Sequence, residues 1–280
     1  MNVRRSWACC RHDLRRLAST PRAWAVLILT FLFAENQFSP VRQMLAEEGL
    51  TLSFPGMALY MLCDTQVTLM LGLGLVMLLF DAPFLDETQR YIITRTGRGS
   101  WGLGQTLYVG AAALAYLLFF LACLLALQAP WTDWSEGWSG GLDELVHYGA
   151  YEYYNTMLDY DPWLMEAYSP WGGLALTGGL HLLAYTALGL ILFAFNCLTR
   201  SRLGFLPCTG LLLWDAVMEE YFMENVYYFS PVTLCRLTAL DYGDEMGRPP
   251  AWYAAVVLAV LVGILAWVCV GAARRKELSL

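Results

Sequence analysis

The stretch DAPFLDETQRYIITRTGRGSWGLGQ, residues 81–105, decides how the rest of the chain is read. It carries Arg90, Arg95 and Arg98 between two apolar runs, 56–80 and 103–127, each long enough for the roughly 20 helical residues that a bilayer core requires. Pro83 stops the first run, and Asp86 and Glu87 put negative charge where a new helix would expose its amides. The pattern predicts a short helix from about Asp86 to Thr94, a Gly97 to Gly99 turn, and a third span opening near Trp101.

Working outward, fourteen of the seventeen Lys and Arg fall in four stretches: residues 1–22, this link, Arg200 with Arg202, and Arg274 to Lys276. The intervening links and apolar runs hold nineteen of the 24 acids, with only Arg42, Arg236 and Arg248 beside them. The positive-inside bias then orients the chain with both termini cytoplasmic and an even number of spans. Six apolar runs fit that count: 23–41, 56–80, 103–127, 172–198, 203–222 and 251–273.

A composition of 58% hydrophobic and 15% charged residues exceeds what a soluble domain carries, so the fold class expected is all-α integral membrane, one domain over 1–280. The first span is expected to remain in place, since Glu35-Asn36-Gln37 follows it rather than a small-residue cleavage site. Gly72, Gly74, Gly178 and Gly179 read as close helix-packing sites. Most of the eight cysteines read as small packing groups, with Cys235 outside the membrane; Cys9 and Cys10, beside arginines, leave acylation open. The net charge of −7 says little about nucleic acid, which is not an expected partner, because the acids sit mainly outside; the cytoplasmic face is basic, as anionic inner lipid would favour.

Before the first span, Val3, Trp7, Cys10, Leu14, Leu17 and Ala18 fall within about 100° at the helical period, with most arginines elsewhere. Residues 1–22 therefore read as an interfacial amphipathic helix, ended by Thr20 and Pro21.

An N-terminal interfacial helix, six spans and an acid-then-arginine link from Asp86-Glu87 to Arg95, Arg98, Ser100 and Trp101 together resemble the permease subunits of ABC-2 type ATP-binding-cassette transporters. The stretch Phe229-Ser230-Pro231-Val232 before the last span is similar to that family too, whereas the long segment 128–171 departs from it. The resemblance implies export from a bacterial cell of a peptide, lipid, drug or polysaccharide. It implies a separate ABC ATPase subunit that holds ATP and Mg, and a second permease, the same chain or another. The coupling helix, residues 81–102 with their flanks, would meet the ATPase through Asp86, Glu87, Gln89, Arg90, Thr94, Arg95 and Arg98.

One absence bears on this independently. A P-loop needs a lysine to hold nucleotide phosphates, and the one lysine, Lys276, follows an arginine. The chain is not expected to be an enzyme by itself or to carry a cofactor.

The outer segment 128–171 has eight acids, no Lys or Arg, and many aromatics. An aromatic belt at the membrane surface accounts for these; recognition of a cationic or amphipathic substrate by Tyr153, Tyr154, Asp159, Asp161 and Trp163 is the functional alternative. Glu35, Asn36, Asp64, His181 and Asp215 fall within apolar runs, where a charge costs at least about 2.5 kcal/mol by insertion scales. With Glu220, the acids and Asn36 are candidates for a substrate path, while His181 reads as a hydrogen-bonded packing residue.

Two other classes were open. Glu219-Glu220 and Glu224 resemble part of an intramembrane metalloprotease motif, but no arginine completes it and no histidine follows His181. An ATP-independent secondary transporter or sensor would have broken helices at matching places in two inverted halves, and no repeat relates 1–140 to 141–280.

Overall fold

The computed structural model describes residues 2–83, 87–134, 137–199, 201–220, 227–241 and 247–275, without the side chains of residues 87, 88, 90, 219, 220, 274 and 275. Helix makes up 80% of it and sheet almost nothing. Among the described residues, four helices are long and apolar enough to cross a membrane: α2 (Pro21–Glu48), α6 (Arg98–Gln128), α10 (Pro170–Thr199) and α12 (Ala251–Arg275).

The expected second span is broken. Residues 54–78 form α3 (Phe54–Cys63) and α4 (Thr65–Leu78), bent by 79° at Asp64. Counted as one span, the pair brings the total to five. Each of the two helices starts on a side-chain cap. Pro55 lies in the first turn of α3 behind an Ser53 cap, and Asp64 Oδ1 accepts from Val67 N at 2.9 Å to start α4. The expected fifth span is α11 (Phe205–Glu220), about 24 Å long at helical rise and so short of a roughly 30 Å hydrocarbon core.

Helix α1 (Val3–Ala18) starts on Asn2, whose side chain accepts from Arg4 N. It ends where Ser19 and Thr20 hydroxyls donate back to Arg16 and Leu17 carbonyls, and Pro21 opens α2. The seated face differs from the apolar stripe read in the sequence. Ser6, Cys9, Cys10, Asp13 and Leu17 are buried against α6, while Val3 and Trp7 are 69% and 58% exposed. Close approach decides this. Gly104 of α6 lets Cys9 and the Ser6 carbonyl come so near that a Cβ there would lie 2.7 and 2.8 Å from them. Burial of both thiols raises their pKa, as desolvation disfavours the thiolate, and takes Cys9 and Cys10 away from an acylating surface.

The core surrounds α10, which packs on α3, α4, α6, α11 and α12. Of the glycines read as packing sites, Gly72 and Gly74 behave so: a Cβ would collide with Leu212 and with the Tyr116 hydroxyl. Gly178 and Gly179 do not, because open space lies where their Cβ atoms would be.

Segment 128–171, legible only as a long loop, folds into a cap over α3. Its first strand partner is β1 (Leu52–Ser53), paired in parallel with β2 (Thr132–Asp133), and Gln128 Nε2 donates to Leu52 O at 2.7 Å. Three short helices follow, α7 (Gly140–His147), α8 (Ala150–Tyr153) and α9 (Pro162–Ala167). Leu142, Leu145, Leu158 and Leu164 are buried, each contributing on the order of 2 kcal/mol by removal from water. Tyr60 of α3 fastens the cap: its hydroxyl donates to Asp161 O at 2.9 Å, and its ring packs on Tyr160 and Trp138.

Candidate functional site

Two buried polar clusters stand out, one at the α1 end and one in the middle of the bundle. The first joins three elements, α1, α6 and α5 (Glu87–Thr96). Gln89 Nε2 donates to Asp13 Oδ1 at 2.6 Å, Gln105 Nε2 donates to Asp13 Oδ2, and Trp101 Nε1 donates to Gln89 Oε1 at 2.8 Å. All four side chains are buried. Gly97, at φ +81, supplies the left-handed turn that folds α5 back beside α6. The helix expected at 86–94 is therefore present two residues later at its end, and held rigidly.

That geometry sorts the residues expected to couple to an ATPase. Gln89 faces inward, so it positions α5 and cannot itself touch a docked partner. Thr94, Arg95 and Arg98 are exposed, and Arg95 stacks over the Tyr91 ring at 5.3 Å. Asp86 lies outside the described residues, as do the side chains of Glu87 and Arg90.

The second cluster forms where the break at Asp64 meets the segment after α11. Asp215 Oδ1 accepts from Ser230 Oγ at 3.0 Å and from Thr233 Oγ1, and Asp215 Oδ2 pairs with Arg236 Nη2 at 3.0 Å. Arg236 also donates to Thr65 Oγ1 through Nη1. The two irregular stretches satisfy each other. Thr238 Oγ1 donates to Cys63 O, a free carbonyl at the end of α3, and Thr177 Oγ1 of α10 donates to Cys235 O. Buried irregular backbone needs such partners, because its unpaired groups would otherwise go unsatisfied.

The sequence places Arg236 and Cys235 in a link outside the membrane; within the fold both side chains are fully buried. The signal that could have found Arg236 was an arginine in an acid-rich link that follows an apolar run interrupted by one acid, Asp215. His181 packs as expected. Its Nδ1 lies 2.9 Å from the Thr177 carbonyl, its ring meets Tyr185 edge-on, and Nε2 lies 3.4 Å from Thr68 Oγ1.

The other substrate-path candidates are dispersed. Glu35 is paired with Arg42 at 2.6 Å, Asn36 is exposed on α2, Asp64 is a buried helix cap, and Glu220 ends α11 with its side chain outside the described residues. In the cap, Tyr153 and Trp163 are exposed and Asp159 lies at the surface. Asp161 is instead a cap of α9, its Oδ1 accepting from Trp163 N at 3.0 Å. Tyr154 donates to both Glu47 and Glu48; partial burial and these carboxylates push its hydroxyl up to about 12.

Among the described residues, no group of three or more His, Cys, Asp or Glu is arranged to hold a metal ion. A scan against protein-family models finds no match for this chain, and a search of curated proteins finds none either.

Proposed function

We propose that this chain is the membrane-spanning permease subunit of an ATP-binding-cassette transporter of the ABC-2 type, exporting a peptide, lipid or drug-like substrate. It lies in a bacterial cytoplasmic membrane, crosses it six times with α11 as the fifth crossing, and keeps both termini inside. ATP and Mg belong to a separate ATPase subunit, and a second permease completes the path.

The observation that carries this reading is the seating of α5. Buried bonds to Asp13 and from Trp101 grip its inner face through Gln89, with Gln105 holding the other oxygen of Asp13, while Tyr91, Thr94 and Arg95 remain outside. A helix held so can pass a push from a docked motor into α1 and α6 as one body, which is what a coupling element has to do.

The test replaces residues 86–95 with a Gly/Ser linker in the assembled complex. Substrate-stimulated ATPase activity disappears while the chain still inserts; unchanged coupling refutes the proposal. Purification in mild detergent should also bring down an ATPase subunit.

One observation favours a second reading, an ATP-independent secondary transporter. The break at Asp64 beside the Asp215 cluster is the kind of interrupted helix that frames substrate sites in such proteins. Uptake or efflux by proteoliposomes holding this chain alone, without nucleotide, would favour it over the first.

A further inference from the structure

Between α2 and α4 runs a groove of about 360 Å³, walled by Val26, Leu29 and Phe33 on one side and Met70, Leu73 and Met77 on the other. Its floor is Tyr116 of α6, which can lie there because residue 74 has no side chain to collide with the ring hydroxyl. That hydroxyl is 2.8 Å from Thr30 Oγ1, and Thr30 in turn donates to the Val26 carbonyl. The floor thus offers no unused polar group, and Leu29, Met70 and Met77 are exposed along the rim.

One end of the groove is different. Arg22 precedes Val26 by one helical turn, and Asp81 follows Met77 by four residues. Arg22 Nη1 is 2.7 Å from Asp81 Oδ2, Arg202 Nε is 3.1 Å from Asp81 Oδ1, and both guanidinium groups lie over the Phe80 ring. Among the described residues two cations share one carboxylate, so the end is net positive. Arg22 is held beneath Asp81 and Phe80 with Nε and Nη2 closed to solvent, whereas Arg202 is 70% exposed and open to an anion.

We infer that the groove holds one acyl chain of an anionic phospholipid whose phosphate lies at this positive end and accepts from the exposed Arg202. Inside a bilayer the apolar walls cannot select a lipid by hydrophobicity, because surrounding tails are equally apolar. Selection must come from the charged end, where arginine gives charge-assisted bonds to a phosphate oxygen. A second copy of this chain fits worse, since an isologous contact would set this positive end against itself or against its image. The inference rests on the chain lying in a bilayer, and not on an ATPase partner.

Lipid retained by the full chain after purification in mild detergent, extracted and identified by mass spectrometry, tests it. The wild type keeps anionic phospholipid in stoichiometric amount, and Arg22→Gln retains about tenfold less, as expected when Asp81 is left to neutralise Arg202 and the end loses its positive charge. The double variant Leu29→Trp/Met77→Trp, which fills the groove, also loses it. Equal retention by Arg22→Gln, enrichment of zwitterionic lipid to the same degree, or a filled groove that alters oligomeric state while keeping its lipid would each overturn the inference. Should Arg22→Gln not fold, lipid loss from the wild type into micelles doped with phosphatidylglycerol or phosphatidylcholine decides instead. Slower loss of the anionic lipid supports the site; equal loss of both sinks it.

Discussion

Asp13 and Asp215 are both closed to solvent, at 1% and 3% exposure, yet two glutamine amides and the neighbouring His12 ring hold the first and an arginine holds the second. Asp13 precedes the first long apolar helix, near the end of the bundle where the chain is basic. Asp215 sits within an apolar helix, where a lone charge is costlier to desolvate. At the edge two amide donors and the His12 ring take the two carboxylate oxygens. In the middle, a full countercharge with two added hydroxyl donors is required. The two clusters also do different mechanical work: one locks three helices into a platform, the other closes two interruptions of the backbone against each other.

The contrast predicts unequal responses to losing one partner. Arg236→Met strands Asp215 without its countercharge and should cost about 3–5 kcal/mol, seen as a large fall in thermal midpoint or in folded yield. The double variant Asp215→Leu/Arg236→Met should recover most of that loss, because no charge is then left unpaired. A single Arg236→Met chain that melts like the wild type would erase the distinction.

At the other cluster the loss is smaller and local. Asp13→Ala leaves the buried Gln89 and Gln105 amides without acceptors, each at about 1–3 kcal/mol, and Asp13→Asn less because one oxygen remains. Hydrogen exchange should quicken over 87–96 and stay unchanged over 205–220. Exchange that quickened equally in both places would mean that the clusters are one cooperative unit.

The mildest effect belongs to a surface contact of the cap, the one Tyr154 makes with Glu47 and Glu48. Tyr154 has a folded pKa raised from 10 to about 12, so its contribution is complete below pH 10 and is lost as pH rises through 12. Fluorescence of the cap tryptophans should change across that window in the wild type and not in Tyr154→Phe. A step that survives the substitution would place the titration elsewhere.

Much of this architecture was legible in the residues. The long helices, the α1 stop at Thr20-Pro21 and the short helix in the 81–105 link follow from apolar run length, capping residues and glycine or proline breaks, all local in sequence. Gln89 was legible as part of that helix but not as its inward anchor, because its partners stand at positions 13 and 101. Asp161 was grouped with Asp159 as a recognition pair on charge alone; only the turn into α9 makes its carboxyl a cap.

The sequence by itself determined a helical chain with bilayer-length apolar segments and arginines gathered in alternate links, because hydropathy and helix signals act over neighbouring residues. Tertiary structure decided where the second run breaks, which way α1 faces, and that Arg236 turns inward to Asp215. Those outcomes depend on donors and acceptors brought together from positions as distant as Thr65 and Arg236, and a buried polar group takes whichever arrangement leaves it satisfied.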